Sequence, residues 1–284
     1  MTTGSASARV LVGRDLARQI RAEVAEQAAV LRVAGRQPRL AVVTANDDAG
    51  SAAYVRSLAN AAEKEGIACD ILRSTTAAGI SATLAQLADD PEVHGILVQT
   101  PLPDGASLAE LAAAIPPAKD VDGASPLSLG RLAAGLPAFA PATAEAVLAL
   151  LDHYAVSLAG RHAVVVGRSG VVGKPVALLL LARNATVTVA HSRTSDLAAL
   201  TRQADILVAA VGFAGLIRPV HVAPGTTVID VGTNAAPDGG LAGDVDPTVA
   251  ELDRVALTPV PGGVGPVTTA LLLRHVVQAA DSPE

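Results

Sequence analysis

A glycine-rich turn in the second half of the chain could hold a phosphate group. In the string VVVGRSGVVGKPVALLL (164–180), an apolar strand ends at Gly167, a turn through Gly170 follows, and a helix begins around Val172, just before Gly173. Glycine permits unusual backbone dihedrals and a close approach of the ligand, and free N–H groups at a helix start attract phosphate oxygens. The spacing departs from GxGxxG, so the string is typical of a nucleotide site and also of ordinary strand–helix turns.

The residues after the next strand indicate which dinucleotide this turn would prefer. In a site for NAD, an acidic residue at this strand end usually binds the ribose 2′-hydroxyl. Here the strand runs into AHSRTSD, with Ser192 and Arg193 where an acid would be expected, and Arg168 lies in the turn itself. Hydroxyl and guanidinium groups suit a 2′-phosphate, which predicts NADP. The alternative is that Arg193 is a solvated surface arginine.

One of the two tyrosines raises a different question. The segment SAAYVRSLANAAEKEG (51–66) has the pattern of an amphipathic helix, in which Tyr54 and Leu58 share a face because they are four residues apart. If Tyr54 lines an active site, a working group is expected one turn further along the helix. That neighbour is a leucine, so the segment predicts either altered chemistry or no active site.

The hydrophobic pattern supplies the elements that would position these residues. Short β-rich runs at 39–45, 69–74, 94–100, 162–167, 185–190, 205–211 and 226–232 alternate with helical segments at 13–34, 51–66, 79–89 and from 141, and a last helix follows a loop at 258–268. Strands separated by helix-length segments predict βαβ units and a parallel sheet, hence an α/β fold. Stretches rich in Pro, Gly and Asp at 100–107 and 115–126 predict loops that carry chemistry.

Composition excludes several classes of function. The chain has 284 residues, of which 50% are hydrophobic, and a net charge of −6, which suits one large or two ordinary domains. Lys and Arg are not concentrated anywhere, which argues against a nucleic-acid partner. Cys69 is the only cysteine and the six histidines lack metal-ligand spacing, so we expect neither a disulfide within the chain nor a metal site. No apolar signal core or membrane span is evident, which predicts a soluble cytoplasmic protein.

Nine short strings, taken in order, resemble one family. They are QTPLP (99–103), KDVDG (119–123), PAT (141–143), GRSGVVGKP (167–175), HSRT (191–194), AAVG (209–212), VIDVGTN (228–234), GDVD (243–246) and TPVPGGVGPVT (258–268). In this order and spacing the chain resembles the bifunctional methylenetetrahydrofolate dehydrogenase/cyclohydrolase family. The resemblance extends from about residue 10 to residue 278.

The resemblance implies a two-domain architecture with a cleft between the domains. An N-terminal α/β domain (1–140), joined by the C-terminal helix (266–284), would bind folate. A Rossmann-type domain (141–265) with a doubly wound parallel sheet would bind NADP. The resemblance also implies a homodimer in which the Rossmann domain supplies the contact.

The resemblance further assigns roles to individual residues. Tyr54, Gln99 and Asp122 would be catalytic and would bind folate, with the Asp122 carboxylate accepting two N–H bonds from the aminopyrimidine edge of the pterin. The other folate-binding residues would be Ser51, Pro261, Gly262, Gly263 and Val264. The cofactor-binding residues would be Gly167, Arg168, Ser169, Gly170, Val172, Gly173, Ser192, Arg193 and Thr233. Outside this context, an aspartate before Gly123 would be read as a turn former.

The chain departs from the family at the position of greatest chemical interest. The Tyr-x-x-x-Lys motif that the resemblance implies has Leu58 in place of its lysine. That lysine is thought to polarise the one-carbon unit and to manage the proton and water of the cyclohydrolase step, and leucine can do neither. Thr100 and Ala142 also depart from the family pattern. We therefore expect weak or absent cyclohydrolase activity, whereas hydride transfer would survive at a reduced rate because the cofactor carries that chemistry.

Three hypotheses of function remain open from the sequence. The first is an NADP-dependent oxidoreductase acting on 5,10-methylenetetrahydrofolate. The second is a family member that acts on a different amine or imine, or that uses folate as a methylene donor. The third is a non-catalytic protein that binds folate or a nucleotide.

Overall fold

The computed structural model describes residues 8–45, 49–236 and 239–282, and within these it is an α/β structure. The helices are α1 (Arg14–Val33), α2 (Ala49–Lys64), α3 (Ala77–Asp89), α4 (Leu108–Ala112), α5 (Pro126–Ala133), α6 (Ala142–His153), α7 (Gly173–Ala182), α8 (Leu197–Thr201) and α9 (Val264–Asp281). The strands are β1 (Arg9–Val10), β2 (Arg39–Thr44), β3 (Ala68–Arg73), β4 (Gly95–Gln99), β5 (His162–Val166), β6 (Thr186–Ala190), β7 (Ile206–Ala209), β8 (Thr227–Asp230), β9 (Asn234–Ala235), β10 (Leu241–Ala242) and β11 (Ala256–Leu257). Residues 1–7, part of the N-terminal segment for which no signal core is predicted, lie outside the described residues.

The chain divides into two compact units. The first unit contains the described residues up to Leu16 together with Thr143–Thr268, and the second contains Ala17–Ala142 and the described residues from Thr269 onward. The divisions in the chain therefore fall near the starts of α1, α6 and α9.

The second unit is built on a parallel sheet in the order β3-β2-β4. Strand β2 is apolar almost throughout because it is the central strand and is covered on both faces, as parallel sheets require. Ala41 and Val43 of this strand join Ile80 and Leu84 of α3 in one buried cluster. The sheet therefore fixes the end of β4, where the QTPLP loop begins.

The first unit is built on a larger parallel sheet in the order β1-β11-β8-β7-β5-β6. After β5 the chain forms β6 on one side of it and then returns to form β7 on the other side. The strand order thus reverses at β5. In open α/β sheets, ligands bind beyond the carboxyl ends of the strands at such a reversal. Gly167 follows β5 at that place.

These findings confirm the predicted fold class of an α/β protein with parallel sheets in two units. One predicted boundary was wrong. Helix α9 begins at Val264, inside the stretch predicted as a loop to residue 268. Pro266 in its first turn does not prevent helix formation, because the N–H groups of a first turn have no partner within the helix. Helix α7 begins at Gly173 with Val172 as its N-cap, in agreement with the predicted start around Val172.

Candidate functional site

The glycine turn after β5 is crowded in a way that excludes side chains. Gly167 has φ +128°, and a Cβ there would overlap the carbonyl oxygen of Ala210. A Cβ on Gly173 would overlap the carbonyl oxygen of Gly167, so the start of α7 lies directly against the end of β5. Gly170 faces open space, and with Arg168 and Ser169 it is exposed. The turn therefore leaves room for a ligand on its outer side.

The first N–H groups of α7 are not free, contrary to the sequence-based expectation. The Ser169 hydroxyl oxygen accepts hydrogen bonds from the backbone N–H groups of Val172 and Gly173, each at 3.2 Å. The Lys174 N–H donates to the carbonyl of Ser169 at 3.1 Å. The Ser169 hydroxyl, as both donor and acceptor, can still donate its own hydrogen to a phosphate oxygen.

The basic and hydroxyl residues predicted to select the dinucleotide follow the neighbouring strand. Val166 of β5 pairs with Ala190 of β6, and the Gly167 N–H donates to the carbonyl of Ala190 at 2.9 Å. The turn after β6 is closed by His191, whose Nδ1 accepts from the Arg193 N–H at 3.1 Å. Ser192 and Arg193 are exposed, so their side chains are available at the same edge of the sheet as Arg168.

Two buried aspartates that the sequence analysis did not single out shape the loops after β7 and β8. The Asp244 carboxylate accepts hydrogen bonds from three consecutive N–H groups, those of residues 211, 212 and 213, at 2.6 to 3.0 Å, and from the Asn234 side chain at 2.9 Å. The Asp230 carboxylate accepts from the N–H groups of Gly232, Asp244 and residue 245. Burial raises the pKa of Asp230 to about 6, and these hydrogen bonds oppose the rise. Thr233, predicted to bind the cofactor, is exposed on the loop that this network holds.

The signal that could have revealed this network is the placement of glycine beside aspartate. A Cβ on Gly232 would overlap the Asp244 carboxylate, and a Cβ on Gly243 would overlap the Asp230 carboxylate. The strings VIDVG and GDVD therefore carry glycines that make room for two buried carboxylates. The resemblance included both strings, but neither indicated by itself that one carboxylate would reach the loop of the other strand.

Replacement of Asp244 tests this network. We expect Asp244→Ala to lower the free energy of unfolding by about 3 kcal/mol or more, because each buried N–H left without a partner costs about 1–3 kcal/mol. The control is Asp246→Ala, which removes an N-cap bond to the Thr248 N–H and costs about 1 kcal/mol. Urea unfolding measures both variants. Equal losses in the two would contradict the structural role given to Asp244.

In the second unit, the end of β4 brings together two of the residues predicted to bind folate. The Gln99 amide donates to the carbonyl of Thr100 at 2.7 Å, and the Ser51 hydroxyl donates to the same carbonyl at 3.2 Å. Ser51 lies in the first turns of α2, one turn before Tyr54. The carbonyl of Thr100 therefore links the start of α2 to the end of β4.

The turn that carries Asp122 is anchored on both sides. The Lys119 ammonium donates to the carbonyls at the end of α3, with the shortest bond, 2.6 Å, to Asp90. Asp120 is fully buried and its carboxylate accepts from the N–H groups of Ala124 and Ser125, both at 3.0 Å. Because the residues before Asp122 are anchored by these hydrogen bonds, the turn restricts the position of the Asp122 carboxylate.

The electrostatics of this turn place Asp122 at the edge of ionisation near neutral pH. Burial raises the pKa of Asp122 to about 7, the charge on Asp120 adds to the rise, and a hydrogen bond from the Ala142 backbone opposes it. Burial and the nearby Asp122 charge raise the pKa of Tyr54 to about 12. Tyr54 as a whole is 38% exposed, and the shift arises because its hydroxyl end lies among protein atoms. The phenol therefore remains a donor at neutral pH.

Leu58 is packed inside the second unit. It is 1% exposed, and its buried neighbours on α2 are Val55, Ala61 and Ala62. The apolar side of α2 thus continues from Leu58 to the end of the helix. Among the described residues of α2, no acidic or basic side chain follows Tyr54 on this buried side of the helix.

The remaining residues predicted to bind folate lie on a loop of the first unit. Gly262, Gly263 and Val264 are buried and Pro261 is exposed. The Gly13 N–H donates to the carbonyl of Gly262 at 2.8 Å, and a Cβ on Gly13 would overlap the carbonyl oxygen of Gly263. The loop is therefore fixed by close backbone packing against the segment before α1.

The fold and these residues together define a two-unit α/β protein with the features of a dinucleotide-binding enzyme. Two family models match the chain: the tetrahydrofolate dehydrogenase/cyclohydrolase catalytic domain over residues 11–122, and the NAD(P)-binding domain of the same family over residues 141–283. The chain belongs to the tetrahydrofolate dehydrogenase/cyclohydrolase family, which confirms the family predicted from the nine strings.

Relatives support this assignment along the whole chain. The bifunctional protein FolD 1 of Saccharopolyspora erythraea is 61% identical over 100% of this chain and 98% of its own length. The crystal structure of the FolD methylenetetrahydrofolate dehydrogenase/cyclohydrolase of Campylobacter jejuni has a TM-score of 0.92 and is 40% identical, over 96% of this chain and 99% of its own. The FolD structure of Trypanosoma brucei, complexed with NADP cofactor and inhibitor, has a TM-score of 0.90 and is 36% identical, over 97% of this chain and 98% of its own.

The structure also bears on membrane and metal partners. No helix within the described ranges is long and apolar enough to cross a membrane. Among the same residues, no group of three or more His, Cys, Asp or Glu side chains could hold a metal ion.

Proposed function

We propose that the protein is an NADP-dependent 5,10-methylenetetrahydrofolate dehydrogenase whose cyclohydrolase activity is weak or absent. The observation that carries the proposal is the contrast within the second unit. The groups suited to binding a pterin are present, whereas the side chain one turn after Tyr54 is a buried leucine. Membership of the family and the 61% identity to a bifunctional FolD protein support the dehydrogenase part.

The folate side of the reaction rests on Asp122, Gln99 and Tyr54. An ionised Asp122 accepts two N–H bonds from an aminopyrimidine, and such charge-assisted bonds are the strong ones in proteins. In this proposal the Gln99 amide and the neutral Tyr54 phenol donate to polar atoms of the same ligand. None of these residues needs to exchange a proton for hydride transfer, so binding and orientation are their contributions.

The cofactor side rests on the turn after β5 and its neighbours. The open space beside Gly170 and the exposed side chains of Arg168, Ser192 and Arg193 fit an anionic dinucleotide. When bound, NADP⁺ supplies the hydride acceptor, and the methylene compound is oxidised to the methenyl compound. The protein holds the phosphates with Ser169 and the arginines and shapes the adjacent loops through Asp244.

A steady-state assay with 5,10-methylenetetrahydrofolate and NADP⁺ tests the proposal, and the absorbance of the NADPH formed is the readout. We expect turnover that depends on both substrates. Binding of both ligands without turnover would favour a non-catalytic or repurposed protein, and consumption of the methylene group without formation of NADPH would favour a methylene donor role.

We expect NADP to be preferred over NAD. Each charge-assisted hydrogen bond to the 2′-phosphate contributes about 1.5–3 kcal/mol, so Arg193→Ala should weaken NADP binding by about 10–100-fold and leave NAD binding almost unchanged. The control is Arg202→Ala, which replaces another exposed arginine of the first unit. Titration of both cofactors by calorimetry measures the effect. Equal affinity for NAD and NADP in the unmodified protein would rule out this preference.

We also propose a homodimer formed through the first unit. Strand β6 is an edge strand of the sheet, and Val189 on it and Leu181 on α7 are 39% and 60% exposed. An exposed edge with apolar side chains favours association with another chain. Light scattering at micromolar concentration should give twice the mass of the chain, and Val189→Lys should reduce it. A monomeric mass for the unmodified protein would refute the dimer.

A further inference from the structure

A large aromatic side chain that the proposed sites do not use is exposed on the loop after β7. Phe213 is one of two phenylalanines in a chain without tryptophan, and it is 64% exposed. Burial of a phenylalanine side chain stabilises a protein, and this ring contributes little in that way. Single exposed apolar side chains are common on protein surfaces, so the position of Phe213 in the fold decides whether its exposure has a function.

The backbone around Phe213 is fixed by hydrogen bonds on both sides. The Phe213 N–H donates to the buried Asp244 carboxylate at 3.0 Å, together with the two N–H groups before it. Further along the loop, the Gly215 N–H donates to the carbonyl of Gly243 at 3.1 Å, and the Ile217 N–H donates to the carbonyl of Asp244 at 2.9 Å. The loop therefore presents the exposed ring from a fixed position, which lowers the entropy cost of binding a flat ligand.

This loop begins in contact with the glycine turn after β5. Val166 of β5 pairs with Ala209 of β7, and the Ala210 N–H donates to the carbonyl of Val166 at 2.8 Å. A Cβ on Gly167 would lie 2.1 Å from the carbonyl oxygen of Ala210. Phe213 follows Ala210 by three residues, so its loop leaves the same carboxyl edge of the sheet as the glycine turn.

The ends of β6 and β7 lie on opposite sides of the glycine turn. Strand β5 is between β6 and β7 in the sheet, and neighbouring strands are about 4.8 Å apart, so the two outer strand ends are separated by roughly 10 Å. A flat ring that touches groups on both faces needs about 7–8 Å between them, because carbon atoms in contact lie about 3.5–4.0 Å apart. The spacing of the strand ends from which the loops with Arg193 and Phe213 leave therefore matches one flat ring between them.

The covalent structure of the proposed cofactor decides which of its two flat rings lies near β6. In NADP the adenine is bonded to the ribose that carries the 2′-phosphate, whereas the nicotinamide lies beyond the pyrophosphate. With the 2′-phosphate at Ser192 and Arg193 and the pyrophosphate at the turn after β5, the adenine is the ring between the ends of β6 and β7. Adenine suits an aromatic side chain, because every base has a π face on which such a ring stacks.

We propose that Phe213 is a cofactor-binding residue whose ring stacks on the adenine of NADP at the ends of β6 and β7. The proposal rests on the cofactor site of the proposed function. Stacking does not involve the 2′-phosphate, so Phe213 contributes to the binding of NADP and of NAD alike, whereas Arg193 contributes to NADP alone. Phe213 thus strengthens the binding of either dinucleotide, and Arg193 selects between them.

Variants at position 213 test the contact by binding alone. Phe213→Ala removes the ring, and Phe213→Leu keeps an apolar side chain without a flat face. The control is Val10→Ala, at a residue of the same unit that is 55% exposed on β1. In the sheet, β1 is three strands from β7, which is roughly 14 Å. Calorimetry with NADP, with NAD and with adenosine 2′,5′-bisphosphate, the adenosine half of NADP, gives the affinities without folate and without turnover.

We expect Phe213→Ala to bind all three ligands about tenfold more weakly, as for the loss of one contact between an aromatic ring and a base. Phe213→Leu should show most of this loss, and Val10→Ala should bind as the unmodified protein does. Unchanged affinities in Phe213→Ala would overturn the proposal. A loss for NADP that is absent for adenosine 2′,5′-bisphosphate would overturn it as well, because the contact would then be with the nicotinamide. Full affinity in Phe213→Leu would show that apolar volume acts and not a flat ring.

Phe213→Trp provides a second readout, since the chain has no tryptophan of its own. This variant keeps a flat ring, so we expect it to bind adenosine 2′,5′-bisphosphate at least as tightly as the unmodified protein does. Stacking of the adenine on the indole should quench the fluorescence of the indole, whereas Val10→Trp should bind the same ligand without quenching. Equal fluorescence changes in the two variants would contradict the stacking contact.

These outcomes are distinct from failure of the proposed function. Weaker binding by Phe213→Ala, in a protein that does not oxidise methylenetetrahydrofolate, would leave the role of Phe213 intact and remove the dehydrogenase. Turnover of the unmodified protein, with full affinity in Phe213→Ala, would do the reverse. Binding of none of the three ligands by the unmodified protein would remove both.

Discussion

Hydrolysis of 5,10-methenyltetrahydrofolate by the unmodified protein should barely exceed the uncatalysed rate. A positioned acid–base group typically raises the rate of a reaction by about 10²–10⁴-fold. Leu58 has no proton that it could exchange. Its side chain is 1% exposed, and the residues that follow it on the buried side of α2 are apolar. Absorbance of the methenyl compound, followed with and without protein, measures the difference. Robust turnover would show that another group performs the proton transfer.

Introducing an amine with Leu58→Lys should raise hydrolysis more than it raises hydride transfer. We expect a gain of about tenfold or more, below the full 10²–10⁴-fold range, because Thr100 and Ala142 do not supply the family's surroundings for the lysine. The variant should also be less stable by several kcal/mol, about the cost of an ammonium at a buried apolar position.

The matched control for this substitution is Leu58→Met. Methionine has a flexible side chain of similar volume and should cost less than about 1.5 kcal/mol. It should leave hydrolysis unchanged, so a gain in Leu58→Lys alone would identify the amine as the cause. A gain of the same size in both variants would instead indicate a loosened helix, and the role assigned to position 58 would be wrong.

The sequence was sufficient to predict the strands of four or more residues in the two parallel sheets, because the inner ones, such as β2, β5 and β7, are short apolar runs that are buried almost throughout. Strand β2 and the strands around the glycine turn have this pattern and appear within one or two residues of the predicted bounds. The start of α9 was missed because proline and glycine usually signal a loop, and here they occupy a helix's first turn. Short strands such as β1 were missed because two residues carry no periodic pattern.

The sequence predicted residues of the candidate site only where the charge of a side chain indicates what it could bind. Arg193 and Asp122 could be proposed from charge and context. The role of Asp244 and the contact of His275 with Val121 could not, because both join residues far apart in the chain: Asp244 bonds to residues 211–213, and the His275 ring bonds to the Val121 carbonyl. Single positions do not reveal such pairs; the fold has to bring the strand ends and the last helix to the turns they hold.

Asp122→Ala should cause the largest loss in the oxidation of methylenetetrahydrofolate. Two charge-assisted hydrogen bonds to the pterin would be lost, each worth about 1.5–3 kcal/mol, so kcat/KM should fall on the order of 10²–10⁴-fold. The affinity for NADP, whose residues belong to the other unit, should remain within about twofold of the unmodified protein. The control is Asp104→Ala, at an exposed aspartate of the same unit. Similar losses in the two variants would contradict the role of Asp122.

Asp122→Asn separates the charge of this residue from its size and gives opposite pH trends for stability and for affinity. The pKa of Asp122 is raised from 3.8 to about 7, so the folded state binds this proton more tightly than the unfolded chain does. Its contribution to stability is therefore fully present below pH ~4 and is lost as the pH rises through about 7.

Folate affinity should rise over the same interval, because the ionised carboxylate accepts the pterin N–H groups. Asparagine cannot titrate, so the variant should lose this component of both trends. Urea unfolding and folate calorimetry measure the two trends over roughly pH 5 to 8, which brackets the transition. If the pH profiles of the variant match those of the unmodified protein, Asp122 is not the titrating group.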